Sequence, residues 1–564
     1  MSSRKHTPKT YDELVALVSD PSVNLGDIDS SAITDLSHLF DPDVHPAAAE
    51  RRDFSGIETW DTSGVTNMSS MFRGCRKFNA PIGSWNTSNV TDMSGMFEDA
   101  ILFNQSLENW DTSSVLDMSR MFSGALSFDQ PLDRWNTSGV VTMEEMFRNT
   151  NSFNQPLGGW DTSNVTSMKG MFHGAKEFNG GIGAWNTSKV TDMSEMFADA
   201  QAFNSPIGTW NTSNVADMSG MFRRACAFNQ RIGTWNTAKV ADMNGMFEDA
   251  YSFNRPIGRW NTSKVRNMTC MFYGAVRFNQ PLDGWDTSSA TDMSRMFSGA
   301  RAFNQPINGW NTSNVENMES MFEQARKFDQ DLDAWNTSKV ASMKSMFRGA
   351  AKFNGKLDGW NTAGVTDMES MFAEAESFDR PLENWDASRV VSMAGMFRCA
   401  RKFNQPLEKW NTRNVTDMTE MFCCASRFNQ PLDRWNTQSV ASTAGMFSQA
   451  RKFTQPLGKW NTSNVRDMSE MFFKARQFDQ SVEGWDTSRV ASMAKMFCCA
   501  RKFNQPLNRW NTSSVVDMSE MFSHAVSFNQ PLEAWDVSNV RDMTGMFYFC
   551  DSFDQNIDGW TRTP

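Results

Sequence analysis

The sequence predicts an α/β repeat solenoid, and three regularities carry that prediction. Tryptophan recurs at every twenty-fifth residue from Trp60 to Trp560, which accounts for all 21 tryptophans. The 40 methionines are two per unit over twenty units, less the one where Thr443 stands, plus Met1. Between successive tryptophans the pattern W-x-T-S-x-V-x-x-M-x-x-M-F-x-x-A-x-x-F repeats, as from Trp85 to Phe103. One such unit cannot bury its apolar face alone, so neighbours must stack on it.

The chain in order divides into four stretches. Residues 1–27 are expected to form an N-terminal helical cap, because Thr10-Tyr11-Asp12-Glu13 has capping-box spacing ahead of Leu14, Val15, Leu17 and Val18. Residues 28–59 are a worn first rung, with Ile28 in the tryptophan place and a surface-loop insertion around Pro42 and Pro46. Residues 60–559 are twenty rungs of 25, and 560–564 is a truncated start of another.

Within a rung, numbered from its tryptophan as position 1, position 8 holds only Asp, Asn, Ser or Thr, the set that caps helices. Apolar residues follow at 9, 12, 13 and 16, as in Met93, Met96, Phe97 and Ala100. That spacing predicts a two-turn helix. Proline occupies position 22 in thirteen of twenty units, which excludes a strand through that residue. A short strand is therefore expected from position 23 to position 2 of the next unit, with an Asx turn at position 2. Trp85, Met93, Met96, Phe97 and Phe103 exemplify the expected core, in which methionine fills gaps between rings.

Composition narrows the function. A length of 564 residues would suggest several globular domains, but the repeat favours one continuous body. With 54 basic and 65 acidic residues the net charge is −11, so the molecule as a whole is no polyanion binder. The N-terminal run lacks the apolar core of a signal peptide, and no apolar run reaches membrane-spanning length. The nine cysteines show no C-x-x-C spacing and no histidine partner, so no zinc site is expected. Cys399 and Cys424 share one repeat position in adjacent units, within reach of a disulfide.

The units such as W-D-T-S-N-V-T-S-M-K-G-M-F-H-G-A-K-E-F-N from Trp160, with the lead Thr10 to Leu14 before Ile28-Asp29, resemble the BspA-like leucine-rich-repeat surface-protein family. That repeat is abundant in mycoplasma surface lipoproteins. The resemblance implies a right-handed, leucine-rich-repeat-like superhelix, with adhesion or protein binding as its use. It supplies no catalytic residues. It points to the cell surface, whereas the N-terminal run points inside the cell.

No constellation for catalysis occurs once with converging groups, so no enzyme, cofactor or metal is expected. Calcium at the position-8 acids lacks a glycine-rich ligand loop, and threonine at position 3 in eighteen of twenty units offers a single ladder of the ice-binding kind. The leading expectation is a non-catalytic scaffold or adhesin that binds other proteins.

The variable positions carry the one strong asymmetry. Positions 17 and 18 turn basic from the ninth to the eighteenth unit, as Arg277, Arg301, Arg326, Lys327, Lys352, Arg401, Lys402, Arg427, Arg451, Lys452, Arg476, Arg501 and Lys502. Two readings stand open: a stripe for an acidic protein, polysaccharide or nucleic acid, and cations favoured at a helix C-terminus. A third expectation, end-to-end self-association, follows from the uncapped C-terminal end.

Overall fold

The computed structural model describes residues 6–560. The N-terminal run before His6 and most of the expected further rung at 560–564 lie outside them. Contacts gather the chain into two compact units, Met1–Asp286 and Thr287–Pro564. Each is a stack of 25-residue coils bonded side by side.

The coils are built of turns. The helix expected over positions 8–16 is absent from the rungs, and the reason lies in where the N–H groups go. In the rung starting at Trp85, the N–H groups of Met93, Gly95, Phe97 and Asp99 leave the rung for carbonyls of Asp117, Ser119, Met121 and Ser123 in the next coil. The alternate donors close short turns, with Met96 donating to Met93 at 3.3 Å and Ala100 to Phe97 at 3.0 Å. An α-helix needs every donor for its own i−4 carbonyl. Positions 11 and 15 take left-handed backbone, with φ of 60° at Gly95 and 56° at Asp99, which breaks a helix twice. Two four-residue turns in succession place apolar residues almost where a helix would.

The expected strand is likewise replaced. Parallel pairing is confined to one residue per rung, position 8, as in Asp92 with Asp117 in the first unit and Asp417 with Ser442 in the second. The position-23 carbonyl cannot join a ladder because it is already used. Leu107 accepts from Trp110 N at 3.1 Å and from the Trp135 indole at 3.0 Å.

The core is a set of side-chain columns. Trp60 to Trp535 are between 1 and 5% exposed, and Met93, Met96, Phe97 and Phe103 are fully buried. Phe97 stacks on Phe103 of its own rung at 4.0 Å and on Phe122 of the next at 5.6 Å. Trp85 lies parallel to Trp110 at 6.5 Å. Ring pairs of this kind add about 0.5–1.5 kcal/mol beyond area burial, and here they run through every coil.

At the N-terminal side, helix α1 (Tyr11–Ser19) forms as expected, with the Thr10 hydroxyl accepting from Glu13 N and with Leu14 and Val18 buried. The insertion is more than a surface loop. It contains a short helix α2 (Pro46–Ala49) and the buried Arg51, whose guanidinium donates to Val18 O and Val23 O at 3.0 Å. These bonds satisfy carbonyls at and beyond the end of α1 and tie the cap to the first rung.

Candidate binding surfaces

The recurring polar residues are committed to the fold. At position 8, Asp92 Oδ1 accepts from Ser94 N at 2.8 Å, an Asx turn that uses the same oxygen an N-cap would. At position 2, Asn86 Oδ1 accepts from Ser88 N at 3.1 Å, the Asx turn expected there. At position 3, Thr87 is 1% exposed and donates to Asp111 O at 2.9 Å, so a surface threonine ladder does not form. At position 20, Asn104 Oδ1 accepts from Asp129 N at 3.0 Å and from Gln130 Nε2 at 2.9 Å, which explains the N/D-Q pair of each unit. Only the variable positions are left to meet a partner.

Of these, positions 17 and 18 present the basic residues to solvent. In the second unit Arg301, Arg326, Lys327, Lys352, Arg401, Lys402, Arg427, Arg451, Lys452, Arg476, Arg501 and Lys502 are all exposed, and Arg277 is exposed in the first. Among the described residues, the carboxylate nearest any of them is Glu376, 3.8 Å from Arg401. The neighbouring position-19 rings repeat at about 6 Å, as Phe403 to Phe428 at 6.0 Å and Phe453 to Phe478 at 6.1 Å. The stripe therefore holds cations at coil spacing with almost no internal neutralisation. Helix-terminus chemistry does not explain them, because the rung contains no helix.

All nine cysteines are free thiols. Cys399 and Cys424 are thus unbridged, and the neighbouring Cys424 thiol, with burial, pushes the Cys399 thiol far above its ordinary range. Among the described residues no group of three or more His, Cys, Asp or Glu side chains converges as a metal site would require. Among the described residues no helix is long and apolar enough to cross a membrane.

One basic cluster lies outside the stripe. Arg231 stands at position 22, where proline is usual, Arg255 at position 21, where glutamine is usual, and Arg259 at position 25 of the same rung as Arg255. The three line one open cleft of about 720 Å³ in the first unit, with Gly233, Gly258 and Pro281. The signal was present as two departures from the usual glutamine and proline, Arg255 and Arg231, in adjacent rungs.

Coils of 25 residues, joined by one parallel pairing per rung around tryptophan, phenylalanine and methionine columns, define a tandem-repeat solenoid of the leucine-rich-repeat type. The chain belongs to the family described as "Mycoplasma protein of unknown function, DUF285", whose model matches residues 34–159, 141–258, 205–309, 250–358, 342–460, 374–484 and 468–563. The BspA-like resemblance of its units is thereby borne out. No curated protein matches the chain. Among solved structures it is similar to a leucine-rich-repeat protein from Bacteroides ovatus, at 10% identity and a TM-score of 0.32 over 74% of this chain and 87% of that one. It is also similar to a leucine-rich-repeat protein of Leptospira interrogans, at 7% identity and a TM-score of 0.18 over 94% of both chains. A third is the functional domain of InlJ from Listeria monocytogenes, at 8% identity and a TM-score of 0.18 over 85% of this chain and 70% of that one.

Proposed function

We propose that the protein is a non-catalytic binding scaffold that holds other proteins against the outward side chains of its coils, with the basic stripe as the contact surface for an acidic partner. The observation that carries this is the near absence of carboxylates around exposed cations repeated at coil spacing. An arrangement useful only to the fold would pair them, as Arg434 pairs with Glu408 at 3.0 Å elsewhere in the rung. The overall charge of −11 keeps such attraction local to the stripe.

A second reading, an acidic polysaccharide or nucleic acid along the stripe, is favoured by the regularity of the spacing, since a polymer repeats its charge along its length. The two separate in one titration series. The full chain is titrated with a folded acidic protein, with heparin and with single-stranded DNA at rising salt. Tight binding of the polymers with a steep salt slope supports the second reading, and preference for the folded protein supports the first. Loss of all three interactions at low salt removes both.

A further inference from the structure

Cations at position 25 normally have a fixed partner. Arg134, Lys409, Arg434, Lys459 and Arg509 each meet the acid at position 24 of the preceding coil, at 3.0, 3.5, 3.0, 2.8 and 3.4 Å. Arg259 is the sixth cation at this position, and the residue that should pair with it is Gly233. Position 22 behaves the same way. Lys356 replaces proline there and meets Asp331 at 3.6 Å, whereas Arg231 has no carboxylate within salt-bridge distance among the described residues. Arg255, half-buried, is held by an Nε bond to Asn229 O at 2.8 Å and lines the same cleft.

Three unneutralised guanidiniums in one cleft repel each other unless an anion joins them. Adjacent coils come together tightly here: a Cβ on Gly233 would lie 2.5 Å from Pro256 O, and one on Gly258 2.7 Å from Pro281 O. Glycine at these two positions lets adjacent coils pack this closely beside the cleft. Asp283 also lines the cleft and is exposed, so the site stays net positive and offers one acceptor to a ligand hydroxyl. Guanidinium presents paired N–H donors that match tetrahedral oxyanions.

We infer that the Arg231–Arg255–Arg259 cleft binds a sulfate or phosphate group carried on a small hydroxylated ligand such as an acidic sugar. The site uses positions 21, 22 and 25 and none of the stripe residues, so it stands or falls separately from the proposed scaffold function.

The test uses substitutions the repeat itself tolerates. Arg231→Pro, Arg255→Gln and Arg259→Gly install residues that other rungs carry at those positions, so the triple variant keeps the fold, as circular dichroism would verify. Calorimetric titration of the full chain with a sulfated disaccharide and, in a second arm, with a sugar phosphate should give binding that weakens as salt rises. The triple variant should lose at least about tenfold in affinity, while a stripe variant with Arg401, Lys402, Arg451 and Lys452 changed to Gln should bind as the parent does. Binding in one arm alone names the oxyanion, and binding in both supports recognition of the shared group. No binding in either arm, or equal binding by parent and triple variant, would overturn the assignment.

Discussion

The carbonyl oxygen of Leu407 accepts from Trp410 N at 3.1 Å and from the indole of Trp435, one coil on, at 2.9 Å. The same oxygen thus closes its own turn and fastens the next coil, and the relation recurs at every tryptophan of the second unit whose indole bond is described. Because the backbone bond survives when the indole is removed, Trp435→Phe should cost only about 0.5–1.5 kcal/mol. Trp435→Ala also opens a cavity in the ring column and should cost about 3–5 kcal/mol. Urea denaturation of both variants checks the ordering, and equal losses would show that the hydrogen bond, not the ring, dominates.

How much of this was legible in the residues follows from what each pattern can distinguish. The column of buried rings was legible because tryptophan and phenylalanine at a strict 25-residue period admit no other arrangement than stacking. At Asp92 and Gly95 the residues fit a helix and a pair of turns equally well. A side-chain oxygen at position 8 serves an N-cap and an Asx turn equally, and a four-residue turn repeat lies close to the 3.6-residue helical period. The left-handed residues that separate the two are hidden because position 11 holds Gly95 in one rung and Arg120 or Glu145 in the next. The stripe was legible as charge. The Arg259 site was not, because its meaning lies in the missing acid at Gly233, which only the paired geometry of the other rungs exposes.

Those exposed pairs should matter little to stability. Arg434 is 75% exposed where it meets Glu408, and such surface pairs contribute about 0–1 kcal/mol. Glu408→Gln should therefore leave the thermal midpoint almost unchanged. A large drop would mean that position-25 pairing is structural, and the unpaired Arg259 would then be a strained defect.

The first rung should be sensitive to acid. Burial alone would raise the Asp41 carboxyl, but bonds from His38, Asp43 N and Arg73 outweigh it and hold the carboxyl below its ordinary range. A depressed folded value means this stabilisation is present above the ordinary aspartate range and fades as pH falls through it toward the folded value. Asp41→Asn should cost about 1.5–3 kcal/mol near neutrality, the range for hydrogen bonds to a charged group. The gap between variant and parent should narrow below the ordinary aspartate range. Thermal unfolding from neutral pH downward gives the comparison, and a constant gap would assign the loss to packing.

Cys75 offers an internal reporter of the same region. Its side chain is buried against Phe40 O at 3.2 Å, and burial followed by the Asp41 charge pushes its thiol up to about 12. Only the thiolate alkylates at a useful rate, so both access and ionisation protect it in the folded protein. Native labelling with iodoacetamide at neutral pH should spare Cys75 while modifying the half-exposed Cys226, and labelling in urea should modify both. In Asp41→Asn, local opening of the insertion should bring Cys75 into reaction before the coils beyond it unfold, read by peptide mass spectrometry against the loss of tryptophan fluorescence. If Cys75 instead became reactive only together with the tryptophan change, the insertion and the first coils would form one cooperative block, and Arg51 and Asp41 would be fastening the end of the stack rather than a separable cap.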